Sequence, residues 1–396
     1  MQSPAANAPV LIVGGGPVGL TLAWCLSEAG IAVRVFESAP EITEQLRAST
    51  FHPPTLDMFQ ASGITDELIA NGRITPTWQI RMHATGEKAE FDLSVLSDDT
   101  QHPYRLQCHQ SRLSRALYNR LPAGTVQFAT TVTDTGQDND GVWLRTAGNT
   151  QTVRGALLVG CDGARSLVRQ AIGATFAGGT YPDNTILVTT RFPFEQHLTQ
   201  LSGVNYIWKD GGTYSLLRLP DVWRISLHPK AGQSPDEALT DESILAQTRE
   251  IIDDTEDFEI LEKRIYRVHH RVASHYRSGR MALAGDAAHL NSPKGGMGLN
   301  GGIHDVFCLA EIITRILDGA SLDLLDQYER KRRPIAEEEI IAQADANRTR
   351  MNTTEQTERL KHLHNLQTIA NDKDRCREFL LKSSMITGLR RAEKLS

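Results

Sequence analysis

Three glycine-rich stretches in this chain carry residue types and spacings suited to gripping a large ligand. The first, Gly14-Gly15-Gly16-Pro17-Val18-Gly19, is a GxGxxG directly after the apolar run Val10–Val13. Gly14 permits the tight turn, Gly16 lets a pyrophosphate approach the backbone, and Gly19 lets a following helix lie close to the strand. Glu37 ends the next apolar run about 20 residues on, where a carboxylate can accept both ribose hydroxyl hydrogens and repel a 2′-phosphate. Strand, turn, helix and acid together predict dinucleotide binding. Taken singly, the glycines are a turn and Glu37 is a solvated strand end.

The second stretch runs from Leu157 to Arg169, in which Asp162-Gly163 separates an apolar strand from a short helix with basic residues at both ends. It is either another strand-to-helix ligand turn or an ordinary connection. The third runs from Gly285 to Asp305, after the apolar run 281–284. Asp286 at the strand end can hold a sugar-like hydroxyl. Gly298, Leu299 and Asn300, with Gly301 and Gly302, would aim free N–H groups and the positive end of a helix at one spot. A reduced flavin needs such a site, because its pyrimidine ring is then negatively charged. A glycine-rich lid or a phosphate loop is the alternative.

The elements that must position these stretches fall into two architectures. Residues 10–37 read as a compact β-α-β unit opening a parallel sheet. Residues 53–70 and 110–120 read as helices. Residues 125–160 read as an antiparallel excursion returning to a buried strand at 156–160. Residues 185–228 read as a meander of four strands, followed by a helix over 240–252. The apolar strand at 281–284 returns to the first architecture, so the two interleave. From about residue 322 the chain reads as charged and helical.

At 396 residues the chain can bury a large core, and two domains are expected. A net charge of −6 argues against nucleic-acid and anionic-membrane partners, and no apolar run reaches the length of a membrane span. Five dispersed cysteines without a CxxC pair predict reduced thiols, and the N-terminus lacks a signal-peptide pattern, so the expected location is cytoplasmic. His269-His270 and His362/His364 lack ligand geometry, so no metal site is expected. The basic run Arg330-Lys331-Arg332-Arg333 reads as a solvated helix end or an oligomer contact.

Taken as a set, the three stretches resemble the single-component FAD-dependent aromatic hydroxylases, the family typified by para-hydroxybenzoate hydroxylase. That family carries GxGxxG near its N-terminus, a mid-chain cDGxxSxvR and a late GDAAHxxPPxxGxGxNxGxxD. Cys161 to Arg169 match the second in full. Gly285 to Asp305 match the third except that Ser292 replaces the first proline. The resemblance spans about residues 8–345.

It implies an α/β fold: a Rossmann-like FAD-binding domain over 1–77, 103–184 and 275–345, an interleaved β-sheet substrate domain over 78–102 and 185–274, and a helical tail over 346–396. Glu37 would bind the adenosine ribose, and Arg47 and Gln110 the pyrophosphate region. Asp286 would hold the ribityl chain, and Gly298, Leu299 and Asn300 would face the flavin pyrimidine edge. Asp162 and Arg169 would serve both FAD and NAD(P)H, and Pro293 would set a carbonyl beside the substrate ring.

On the substrate side, alternation places Tyr214, Leu216 and Arg218 on one face of a meander strand, and Tyr206 and Trp208 on one face of its neighbour. If these faces cover the flavin, Arg218 is the first candidate to pair with a substrate carboxylate, with Arg224 and His228 as alternatives. A surface arginine is the competing reading. The type member uses a tyrosine on the earlier strand to deprotonate its phenol, and the register places Trp208 there.

The resemblance implies a monooxygenase that uses NADH or NADPH and O2, through a flavin C4a-hydroperoxide, to hydroxylate a small aromatic or heteroaromatic ring. A phenolic or hydroxypyridine carboxylate is the expected substrate, and a homodimer through the tail is compatible with the pattern. The alternatives are a flavin-dependent halogenase or reductase on the same fold, although the halogenase GWxWxIP motif is absent, and a non-catalytic flavin-binding regulator.

Overall fold

The run Val10–Val13 is apolar at every position and buried at every position, as a strand covered on both faces must be. A computed structural model describes residues 8–44, 49–253 and 255–395. In it, Val10–Val13 pairs in parallel with Val33–Phe36 on one side and Leu157–Gly160 on the other. Met281–Leu283 then pairs in parallel with Leu157–Gly160, and Val126–Gln127 with Val33–Phe36. The short strand Arg277–Ser278 completes this six-stranded sheet in antiparallel sense. The helix Pro17–Glu28 begins with proline in its first turn, which suits a position that needs no N–H. It packs against the long helix Met297–Leu317.

The excursion at 125–160 is a separate three-stranded antiparallel sheet of Val132–Asp138, Gly141–Thr146 and Val153–Gly155. The helical reading of 53–70 resolves into two helices, Pro53–Gln60 and Ile64–Ala70, divided at Gly63 with φ 71°. The helix expected over 240–252 is shorter, Asp241–Thr248, with the Thr240 hydroxyl accepting from the Ser243 N–H as its cap.

The meander belongs to a large eight-stranded sheet. Its core is Phe176–Thr190, Trp223–Leu227, Gly212–Arg218 and Val204–Lys209, all antiparallel neighbours. Thr77–Met82 joins Val204–Lys209 in parallel, and Lys88–Asp92 forms one edge. On the other side lies Glu262–Ala273, twelve residues long and not anticipated. Its sequence, Glu-Lys-Arg-Ile-Tyr-Arg-Val-His-His-Arg-Val-Ala, is too charged to read as a strand by composition.

One face of this sheet is sealed by an apolar cluster around Phe194, Trp223, Ile225 and Phe258. Much of the other face is covered by the C-terminal region. The helices Gln356–Ala370, Lys373–Ser383 and Ile386–Lys394 supply Leu363, Leu366, Leu380 and Ile386, which pack with Trp78, Phe91 and Trp208. The tail therefore has an intramolecular partner. Among the described residues, no helix is long and apolar enough to cross a membrane, and no group of three or more metal-binding side chains could hold an ion.

Candidate functional site

The three glycine-rich stretches meet at the carboxyl ends of the parallel strands. At Gly14, φ is 102° and an added Cβ would lie 2.4 Å from the Cys161 carbonyl oxygen. At Gly19 it would lie 2.0 Å from the Gly14 oxygen. Both positions therefore exist to bring strand, helix and the Asp162-Gly163 turn together. Gly16 differs: a Cβ there would meet nothing within 4 Å, and the residue lines a cavity of about 700 Å³. Glu37 stands over this turn, with Oε2 accepting from the Gly15 N–H at 2.6 Å and Oε1 from the Ala39 N–H at 2.8 Å.

Asp162 and Arg169 hold the scaffold. The Asp162 carboxylate accepts from the Ser166 hydroxyl at 2.5 Å and the Leu167 N–H at 2.7 Å, capping the helix Leu167–Ala171. Arg169 is buried, stacks on Phe176 at 3.8 Å, and donates to the Ala164 and Ala287 carbonyls at 2.8 and 2.9 Å. It thus ties the mid-chain turn to the late one.

In the late stretch, Asp286 is exposed to the cavity and Pro293 lines it. Gly296, with φ 70°, starts the helix Met297–Leu317, and no described side chain caps that start. Met297, Gly298 and Leu299 line the cavity there, so the positive helix end faces it. Asn300 turns away: Nδ2 donates to the Thr50 and Gly296 carbonyls, and Oδ1 accepts from the His52 N–H at 2.9 Å. Gln110 lines the cavity at the start of its helix. Arg47 lies outside the described residues.

Beneath this loop sits a buried ionic cluster that sequence reading missed. Asp305 Oδ2 accepts from His289 Nε2 at 2.8 Å and from the Gly285 N–H at 3.2 Å, and Oδ1 accepts from Arg332 Nε at 2.8 Å. Arg332 is 2% exposed, so the reading of this basic run as a solvated end or oligomer contact is wrong for this residue. The last Asp of the late motif was a signal for the cluster, but nothing local marks its partner 27 residues on.

His52 is a second buried polar group at this loop, with Nε2 donating to the Gly295 carbonyl at 2.8 Å. Burial, aided by the nearby Arg105 charge and opposed by that hydrogen bond, pushes its pKa down to about 3. The unfolded chain takes up this proton near pH 6.5, while the folded chain resists it. The resulting stability is complete above pH 6.5 and falls by up to about 1.4 kcal/mol per pH unit on acidification toward the folded value. Urea midpoints at about pH 7.5 and about pH 5 are expected to differ more for the wild type than for His52→Gln. Equal differences would remove His52 as the cause.

The eight-stranded sheet closes the cavity, and here two expectations are corrected and a third is met in part. Arg218 lies on the face away from the cavity, over the Trp223 ring at 5.3 Å and 3.7 Å from Glu195. Tyr214 is among the residues that line the cavity, but its ring packs in the cluster on the opposite face and its hydroxyl bonds His83 Nδ1 at 2.9 Å. Trp208 is on the expected face but is wholly buried under the C-terminal region, with Nε1 donating to the Arg350 carbonyl at 3.3 Å. Tyr206, two residues earlier, lines the cavity, as do Arg224 and His228. Arg264, Tyr266 and Arg267 of the unanticipated strand line it too. Burial lowers the Arg224 guanidinium pKa and raises the Tyr266 hydroxyl pKa. Among the described residues lining the cavity, Arg224, Arg264, Arg267 and Lys294 face a single carboxylate, Asp286.

A cavity of this size, with uncapped N-termini of two long helices at separate points on its wall, fits a long ligand with phosphates at one end and an electron-accepting ring at the other. Fold and cavity together define a dinucleotide-binding α/β protein. The family model described as "FAD binding domain" matches residues 7–388. Para-nitrophenol 4-monooxygenase of Pseudomonas sp. (strain WBC-3) is 33% identical over 97% of each chain. The 6-hydroxy-3-succinoylpyridine 3-monooxygenase HspB of Pseudomonas putida (strain DSM 28022 / S16) is 32% identical over 94% of this chain and 96% of its own. The crystal structure of p-nitrophenol 4-monooxygenase PnpA from Pseudomonas putida DLL-E4 superposes with a TM-score of 0.89 at 30% identity, covering 96% of this chain and 98% of that one. The chain belongs to the FAD-dependent aromatic hydroxylase family and is a flavin-dependent monooxygenase.

Proposed function

We propose that this enzyme uses NADH or NADPH and O2 to hydroxylate a small ring that carries a hydroxyl and an acidic substituent, a phenol or a hydroxypyridine. The observation that carries this reading is the charge of the cavity wall, with Arg224, Arg264, Arg267 and Lys294 against Asp286 alone among the described lining residues. A cavity of that sign favours anionic ligands. Similarity to a nitrophenol and a hydroxypyridine monooxygenase supports the same substrate range.

When bound, FAD would supply the redox chemistry by which two electrons from the nicotinamide and one molecule of O2 put one oxygen atom on the ring and release the other as water. The residues do the rest. Gly16 and Gln110 line the cavity where the pyrophosphate would lie, Glu37 would take the adenosine ribose, and Asp286 the ribityl chain. The N–H groups of Gly298 and Leu299 oppose negative charge on the reduced ring. Pro293 flanks the substrate, and Arg224 holds its acidic group. The apolar packing of the C-terminal region over Trp208 keeps water from that side. We propose the same division of the chain as its pattern suggested: 1–77, 103–184 and 275–345 for FAD, 78–102 and 185–274 for substrate, and 346–396 as a tail.

The test is a screen of phenols, aromatic acids and hydroxypyridines with the FAD-loaded protein. Stimulated NAD(P)H oxidation, oxygen uptake and a product heavier by one oxygen are expected. Tightly held FAD that no ring drives to turnover, or a halogenated product, would overturn the proposal.

A further inference from the structure

The C-terminal region reaches the cavity at Met351. This residue ends the helix Ala342–Met351, which packs on the strand Val204–Lys209, and it is 4% exposed. Among the described residues lining the cavity, it alone lies beyond the helix Met297–Leu317. It belongs to the apolar cluster that holds Val204, Trp208 and Leu217, with Tyr206 packed against that cluster. Leu217 and Tyr206 line the cavity too, so Met351 stands where the cluster opens onto it.

The turn that carries Met351 is tied to both sheet and loop. The Arg350 carbonyl accepts from Trp208 Nε1 at 3.3 Å. Arg359, 5% exposed, donates to the Thr353 carbonyl at 2.6 Å and to the Lys209 and Gly212 carbonyls at 2.8 and 3.2 Å. Asn352 Oδ1 accepts from Lys294 Nζ at 3.2 Å, next to Pro293. The backbone at Met351 is therefore fixed against the strand hairpin and against the loop proposed to flank the substrate.

Sheet register sets what lies beside it. Arg224 pairs with Leu217, and Leu217 with Val204, so all of these share the cavity face on adjacent strands. Two strand spacings, about 10 Å, take that face from a cation to the apolar cluster of Met351. A ring whose acidic group meets Arg224 lies along Leu217, and its remote edge turns toward Met351.

We propose, building on the substrate reading above, that Met351 is a specificity-determining residue. Its side chain is the apolar stop for the ring edge remote from the acidic group, and it selects rings by their size at that edge. An unbranched thioether on a fixed backbone adjusts by rotamer, so the selection is graded.

The experiment uses the full-length, FAD-loaded enzyme and two rings: the one that best drives turnover, and its homologue with a methyl group at the remote edge. The readout is the ratio of kcat/KM, larger ring over smaller. Met351→Ala is expected to raise it about tenfold and Met351→Phe to lower it by a similar factor, the scale of one methylene in an apolar pocket. Ring affinities from flavin fluorescence are expected to shift in the same direction, which reports fit without turnover. Met351→Leu conserves volume but loses reach, is expected to raise the ratio roughly threefold, and decides if the alanine variant does not fold. Leu366→Ala loosens the same cluster at a residue that does not line the cavity, and is expected to leave the ratio within about twofold. Equal ratios in the wild type and the Met351 variants, with turnover retained, overturn the role of Met351 and leave the hydroxylase reading standing. A shift in Leu366→Ala as large as in Met351→Ala also overturns it, since the effect then belongs to packing of the tail. A wild type that no ring drives to turnover overturns both the role and the reading beneath it.

Discussion

Replacing Asp305 by asparagine is expected to cost the protein about 3–5 kcal/mol of stability and most of its bound flavin. The Asp305 carboxylate is fully buried and serves three partners at once: His289, Arg332 and the Gly285 N–H. Burial alone would raise its pKa, but the His289 ring and the Arg332 guanidinium outweigh burial and hold the carboxyl well below its usual range. The amide keeps the shape and loses the charge. Arg332, 2% exposed, is then a buried cation facing a neutral group. The Gly285 turn loses an anchor just before Asp286, which lines the cavity and is proposed for the ribityl chain. Chemical denaturation measures the first effect and flavin absorbance per protein the second. Pairing Asp305→Asn with Arg332→Met is expected to recover part of the stability, because the double variant removes the stranded charge. An unchanged denaturation midpoint in Asp305→Asn would show that the cluster contributes little.

That cluster also shows where sequence reading stopped. The β-α-β unit at 10–37 was legible because its signals are local: a run of four apolar residues, a glycine turn, a proline at the helix start. Glu37 and the Gly298–Leu299 helix start were legible for the same reason. Asp305 and Arg332 were not, since each looks like an ordinary charged helix residue until the fold brings them together. Trp208 failed similarly. Its neighbours Met351, Leu363 and Leu366 lie well over a hundred residues downstream, so nothing near position 208 reveals that it is roofed over.

The face assignment of the meander failed for a different reason. Alternation sorts Tyr214, Leu216 and Arg218 from Thr213, Ser215 and Leu217, but it does not say which set meets the ligand. Both faces of this sheet are covered, so the strand Gly212–Arg218 shows no clear polar side. Its neighbour does. In Trp223–Leu227 the apolar Trp223, Ile225 and Leu227 alternate with Arg224 and Ser226. The pairing sets Leu217 against Arg224 and Ser215 against Ser226. Reading the cleaner strand first would have assigned the polar face to the cavity and placed Arg218 on the other side.

Arg224 and Arg218 therefore make a decisive pair of variants. With the ring that best stimulates NAD(P)H oxidation, Arg224→Met is expected to lower kcat/KM roughly 10- to 150-fold, the worth of a hydrogen bond to a charged group out of water. Most of the loss is expected in KM, because a substrate's acidic group is held alike before and during reaction. Arg218→Met is expected to change kcat/KM by less than about twofold, because its charge is spent beside Glu195 at a partly exposed edge, where an ion pair is worth little. Flavin content is expected to stay constant in both, which separates a binding defect from a folding one. The ordering is the sharp part of the prediction. A larger loss in Arg218→Met than in Arg224→Met would mean that the ligand meets the opposite face of the sheet. If neither variant loses activity, the acidic group is held by Arg264, Arg267 or Lys294, and the same assay on methionine variants of these three identifies which.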